Sequence, residues 1–139
     1  MPFDLTSLEK SIRALEKSIA AAQSDNNAFN DDIKETLRAG VIRNFETAYE
    51  QCWKFIQRWI RENRSPEEAD YLRTRKDLFR TAARYGLIFD PEPWFDYGDA
   101  QNLISHTYDE EQADTVFQTA QRFLPHASDL LIRLKEVND

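Results

Sequence analysis

One cysteine, two histidines and three glycines are all that this 139-residue chain offers to the chemistries that depend on those residues. Cys52 has no second cysteine to pair with, which fits a reducing compartment, and its apolar neighbours predict a buried structural thiol. His106 and His126 are far apart and no spaced ligand pair surrounds either, so no metal site is expected. No glycine cluster precedes a helix signal, which removes a phosphate loop, and nothing else signals a cofactor. Period-two strands and hairpin turns are missing as well, and with them the strand-to-helix elbow of a serine hydrolase. The longest apolar runs fall well short of the roughly 18 residues of a membrane span. The start of the chain carries no basic stretch followed by an apolar one. The expectation is a cytoplasmic protein with no membrane partner.

Positive charge is outnumbered, 18 Lys and Arg against 25 Asp and Glu. The net charge is −7, which argues against a nucleic-acid coat, but its distribution is uneven. Arg73, Arg75, Lys76, Arg80 and Arg84 face only Asp77 between Tyr71 and Arg84. From Tyr85 to Gln121 there is no Lys or Arg at all, while Asp90, Glu92, Asp96, Asp99, Asp109, Glu110, Glu111 and Asp114 accumulate. A basic block therefore adjoins an acidic one.

What the chain has in quantity is helical periodicity. With hydrophobic residues at 41% and charged ones at 31%, it has the balance of one ordered domain over residues 1–139, able to bury roughly 70% of its unfolded surface. Leu8, Ile12, Leu15, Ile19 and Ala22 predict a helix from about Asp4 to Ala22. Asn30 is placed to cap a second, longer helix, in which Leu37, Val41, Phe45, Ala48, Cys52, Phe55, Ile56 and Trp59 hold the same rhythm. Gly40 weakens it and predicts a close crossing or a local irregularity. Ser65-Pro66 ends that helix and restarts the chain. A third helix spans about Thr74 to Tyr85, closed by Gly86-Leu87. Asp90-Pro91 starts a fourth, and Asp109 with Gln112 forms a capping-box signal for a last one that Pro125 should kink. The fold class is all-α: an antiparallel up-and-down helical bundle of four main helices plus a shorter one.

The segment Asp99–Glu110 interrupts this scaffold with Asn102, Ser105, His106 and Tyr108 in close succession. Together with Phe45-Glu46-Thr47-Ala48-Tyr49-Glu50-Gln51-Cys52-Trp53-Lys54 on the long helix, Asn102-Leu103-Ile104-Ser105-His106-Thr107-Tyr108-Asp109-Glu110 closely resembles the HEPN superfamily. Within it the match is to the HepT-like group, the nucleotidyltransferase substrate-binding proteins. The similarity runs over nearly the whole chain. It implies a homodimeric bundle, partner of a minimal nucleotidyltransferase and toxin half of a toxin–antitoxin pair. It further implies metal-independent ribonuclease activity on an Arg-x4-His-x-Tyr motif, and transfer of AMP by the partner to the motif tyrosine.

Carried over by position, His106 matches the catalytic histidine, Tyr108 the modifiable tyrosine, and Asn102 and Ser105 the intervening polar residues. The arginine position holds Gln101, and the often acidic residue before it is Ala100. Gln101 can donate a hydrogen bond but brings no charge to a phosphorane. Losing a preorganised donor costs about 10²–10³ in rate, and losing an arginine finger about 10³–10⁵. The leading expectation is therefore a nucleotidyltransferase partner modified on Tyr108. The alternative is a ribonuclease that uses His106 with Gln101, Asn102 and Ser105, its charge borrowed from Arg73, Arg80 or Arg84 of either subunit as they contact RNA. A third reading is a structural dimer or adaptor. In the plainer alternatives, His106 is a helix C-cap, Tyr108 packs, the basic block is a solvated face, and Trp53, Phe55 and Trp59 are core or dimer surface. His126 is read as structural.

Overall fold

A computed structural model describes residues 4–24, 30–72, 74–106 and 109–138, with the backbone alone at Ser105 and His106. It contains, among the described residues, six helices: α1 (Thr6–Gln23), α2 (Asp31–Asn63), α3 (Pro66–Tyr71), α4 (Arg75–Arg84), α5 (Glu92–His106) and α6 (Glu110–Val137). No strand is present among those residues, and none of the helices is long and apolar enough to cross a membrane. The all-α bundle is the expected one, with an additional single turn, α3, where Ser65-Pro66 restarts the chain. There the Ser65 hydroxyl accepts from the Glu68 amide at 3.0 Å.

Local signals fix the helix ends. Asn30 accepts from the Ile33 amide at 2.9 Å, Thr74 from Asp77 at 3.1 Å and Asp109 from Gln112 at 2.8 Å, each supplying an acceptor to an orphan donor of the first turn. The Asp109 box is only half built, because the Gln112 side-chain oxygen is buried with no partner among the described residues. At the end of α4, Gly86 takes φ +78 and the Leu87 amide reaches the Ala82 carbonyl at 2.9 Å, a Schellman closure that needs a residue without Cβ strain. Helix α6 runs on through Pro125.

Helix α2 is the spine, roughly 50 Å long at 1.5 Å per residue, and it touches every other helix. Ser7 reaches Gln51, and the Asn44 amide reaches the Ala14 carbonyl, so α1 runs antiparallel to α2. Helix α6 runs the same way as α2, since Phe45 meets Phe123 and Trp59 reaches the Val137 carbonyl. The core lies between these three helices and α5, with Leu8, Leu15, Val41, Ile56, Leu130 and Leu134 sealed inside it. Phe123 is its junction: its ring packs edge-on against Phe45 at 5.2 Å, Tyr97 at 5.1 Å and Trp94 at 5.7 Å between centroids. Cys52 is buried, and burial pushes its thiol pKa upward, as a structural cysteine requires. Phe55 and Trp59 are core residues, whereas Trp53 is half-buried. His126 also has a structural partner, the Tyr97 hydroxyl, which shares a hydrogen bond with its Nδ1.

Gly40 departs from the sequence expectation of a close crossing. A Cβ built there meets nothing within 4 Å among the described residues, and α2 passes through it without a break. The residue therefore costs helix propensity without a packing return. Gly40→Ala is expected to raise stability by about 0.5–1 kcal/mol, read as a higher midpoint of chemical denaturation with an unchanged slope.

Candidate functional site

The last turns of α5 form one wall of the site, and their packing explains which side chains are free to act. Ala100 turns inward and is buried, Gln101 is half-buried, and Asn102 is exposed. His106 closes the helix one turn after Asn102, a spacing that places both positions on one face. The side chains of Ser105 and His106, and the whole of Arg73, Thr107 and Tyr108, lie outside the described residues.

Helix α4 forms the opposite wall. Thr74 caps it, which fixes Arg75 and Lys76 as its first two residues. Between the two walls lies a cleft of about 640 Å³, lined by Arg75, Lys76, Phe95, Asp99, Gln101 and Asn102 and floored by Tyr49, Phe79, Trp94 and Gly98. The absence of a side chain at Gly98 is required: a Cβ there would stand 2.8 Å from the Tyr49 hydroxyl oxygen. That hydroxyl is buried with no hydrogen-bond partner of normal geometry among the described residues. Burial pushes its pKa up, and Arg75 beside it draws part of the shift back.

Arg75 is held from three directions. Its guanidinium lies 4.4 Å from the centre of the Trp53 ring and 5.4 Å from that of Tyr49, and its Nη1 donates to Gln101 Oε1 at 2.7 Å. Both rings lie within cation–π distance of the guanidinium, whose Nη1 is turned to Gln101. Among the described residues it forms no ion pair. Gln101 also borders a second groove of about 500 Å³ against α2, with Arg43, Glu46, Thr47 and Glu50. Burial raises the Glu46 carboxyl pKa there, and the nearby Arg43 opposes the shift.

The other basic residues of α4 have different environments. Arg80 pairs with Asp77 at 3.4 Å and stacks 5.2 Å from the Phe95 ring centre, and Arg84 is exposed at the end of the helix. The sequence reading drew its three candidates from the same basic block but left out Arg75, the one that meets Gln101. The available signal was a tandem Arg-Lys pair directly after the capping Thr74, which puts both at a helix start facing whatever packs there. Among the described residues no three His, Cys, Asp or Glu side chains converge to hold a metal ion.

The family model for nucleotidyltransferase substrate-binding-protein-like chains matches residues 3–136. This chain belongs to the nucleotidyltransferase substrate-binding-protein family. A relative from Haemophilus influenzae, described as a probable ribonuclease HepT, is 34% identical over 138 residues, spanning 97% of this chain and 94% of its own. A solved structure from the same organism, described as the fold of a substrate-binding domain of a nucleotidyltransferase, superposes with a TM-score of 0.88 at 32% identity. It covers 95% of this chain and 99% of that one. Both alignments run over nearly the whole chain.

In chemical terms the cleft offers this family member a cation in contact with aromatic rings, an amide pair at positions 101 and 102, and apolar lining residues. Among the described side chains lining the cleft, none is a histidine, and His106 follows on α5 as its last residue.

Proposed function

We propose that this protein is the HEPN half of a two-protein system, a homodimer bound by a minimal nucleotidyltransferase that transfers AMP to Tyr108. The observation that carries the reading is the family match over residues 3–136 joined to the Asn102-x3-His106-x-Tyr108 spacing in the sequence. Tyr108 immediately precedes Asp109, the cap of α6, so in sequence it falls at the connection between two packed helices. In the transfer, the tyrosine oxygen attacks the α-phosphorus of ATP, the bond to the β-phosphate oxygen breaks, pyrophosphate leaves, and the phenolic proton passes to solvent or base.

Co-expression with a minimal nucleotidyltransferase encoded beside it, followed by intact-mass measurement, tests the reading. A stable complex and an AMP-sized mass increase that disappears in Tyr108→Phe are expected. No complex and no increase would overturn it.

A second reading is that the unmodified protein is a metal-independent ribonuclease. It is favoured by the 34% identity to a probable ribonuclease and by the placement of Asn102 and His106 one turn apart on α5. In such cleavage the RNA 2′-hydroxyl loses its proton and attacks phosphorus. The bond to the 5′-oxygen breaks, and that oxygen gains a proton. The products are a 2′,3′-cyclic phosphate and a 5′-hydroxyl, with His106 moving the protons.

A further inference from the structure

The ribonuclease reading leaves one physical need unmet. Charge building on the phosphorane requires a fixed cation, and position 101, where the resembled motif carries Arg, holds a neutral glutamine. We propose that Arg75, a residue of α4 outside that motif, supplies this cation by binding the RNA phosphate across the α4–α5 cleft, with Gln101 holding its guanidinium in place. The proposal rests on the ribonuclease reading for its catalytic meaning, while the phosphate contact itself is testable without it.

Three features support the assignment. The first is geometry: Arg75 Nη1 sits 2.7 Å from Gln101 Oε1, so the cation occupies the neighbourhood of the side chain that lacks one. The second is preorganisation. Cation–π contact with Trp53 and Tyr49 restrains a long side chain that would otherwise lose rotamer freedom on binding. The third is availability. Arg80 is committed to Asp77, but Arg75 has no carboxylate within ion-pair distance among the described residues, although Asp99 lines the same cleft. A glutamine at 101 suits this arrangement better than arginine would. Its carbonyl accepts from Arg75, whereas a second guanidinium would repel it.

The test uses the full-length protein and a fluorescent single-stranded RNA in EDTA. Arg75→Ala is expected to lower cleavage about 10²–10³-fold. Arg75→Lys is expected to fall between it and wild type, because charge remains but the stacked, bidentate plane does not. Adding Gln101→Arg to Arg75→Ala should recover much of the loss, since it returns the cation from the other wall of the cleft. Arg13→Ala, on the outer face of α1, should behave as wild type.

A second measurement is independent of turnover. In a His106→Ala background, RNA affinity is followed against salt concentration, and Arg75→Ala should flatten the log–log slope by about 0.7, the share of one single-strand phosphate contact. If wild type does not cleave but Arg75→Ala flattens the slope, the ribonuclease reading fails and the phosphate site stands. If wild type cleaves and Arg75→Ala cleaves equally well, the proposal is overturned. It is also overturned if Arg75→Ala lowers only the melting temperature and leaves cleavage and salt slope unchanged, or if it disrupts only binding of a protein partner. Should Arg75→Ala not fold, Arg75→Gln, which keeps a planar amide over Trp53, carries both measurements to the same decision.

Discussion

Phe123→Ala is expected to cost the fold about 3–5 kcal/mol, a large part of what a domain of this size has to lose. The ring is fully buried and joins α6 to α2 and α5 through Phe45, Tyr49, Trp94 and Tyr97. Truncation removes the transfer energy of the ring and leaves a void whose walls are themselves large rigid rings, which collapse poorly into it. Urea or guanidinium denaturation followed by circular dichroism would show the loss as a lower midpoint. Phe123→Leu, which leaves less empty volume, should lose a smaller part. A cost below about 1 kcal/mol for the alanine variant would mean that the cluster repacks around the gap and that Phe123 is not its junction.

His106→Ala is expected to reduce EDTA-resistant RNA cleavage by about 10²–10⁴-fold, the usual contribution of a positioned general acid–base group. The reasoning is chemical. Transfer of a proton from the 2′-hydroxyl and to the 5′-oxygen at neutral pH suits imidazole better than any other unperturbed side chain. Neither Arg75, Gln101 nor Asn102 can take that role, since an arginine does not deprotonate in proteins and an amide does not titrate. His106 also sits at the end of α5, so its loss should leave the core intact, and the variant should melt close to wild type. Cleavage surviving at wild-type rate in this variant would remove His106 from the chemistry.

Much of the fold could be read directly because its determinants are local. The four-three spacing of Leu8, Ile12, Leu15 and Ile19 gives one face of α1, and all four are buried. Asn30, Gly86 and Asp109 act within one helical turn, so the caps they announce are the caps that form. What the sequence concealed depends on which helix faces which. Gly40 seemed to call for a crossing partner, but nothing in a helix's own residues says what stands opposite, and there none of the described residues comes within 4 Å of a built Cβ. Similarly, no pattern within α5 pairs Tyr97 with His126 on α6.

The candidate site divides along the same line. Gln101, Asn102, Ser105 and His106, with Tyr108 two residues further on in sequence, stood out because they form one contiguous motif. Arg75 did not, because its relation to Gln101 spans 26 residues and exists only once α4 docks against α2 through Trp53 and Tyr49. A cation–π stack has no fixed sequence interval to announce it.

The narrow fit between Gly98 and the Tyr49 hydroxyl also bears on how this protein can vary. The two positions share one small volume: a methyl group added at 98 needs the oxygen at 49 to leave. A viable chain with alanine at 98 should therefore carry phenylalanine at 49, while Gly98→Ala made alone should be penalised by the clash. Positions 49 and 98 are thereby coupled, and both line the cleft on which Arg75 stands.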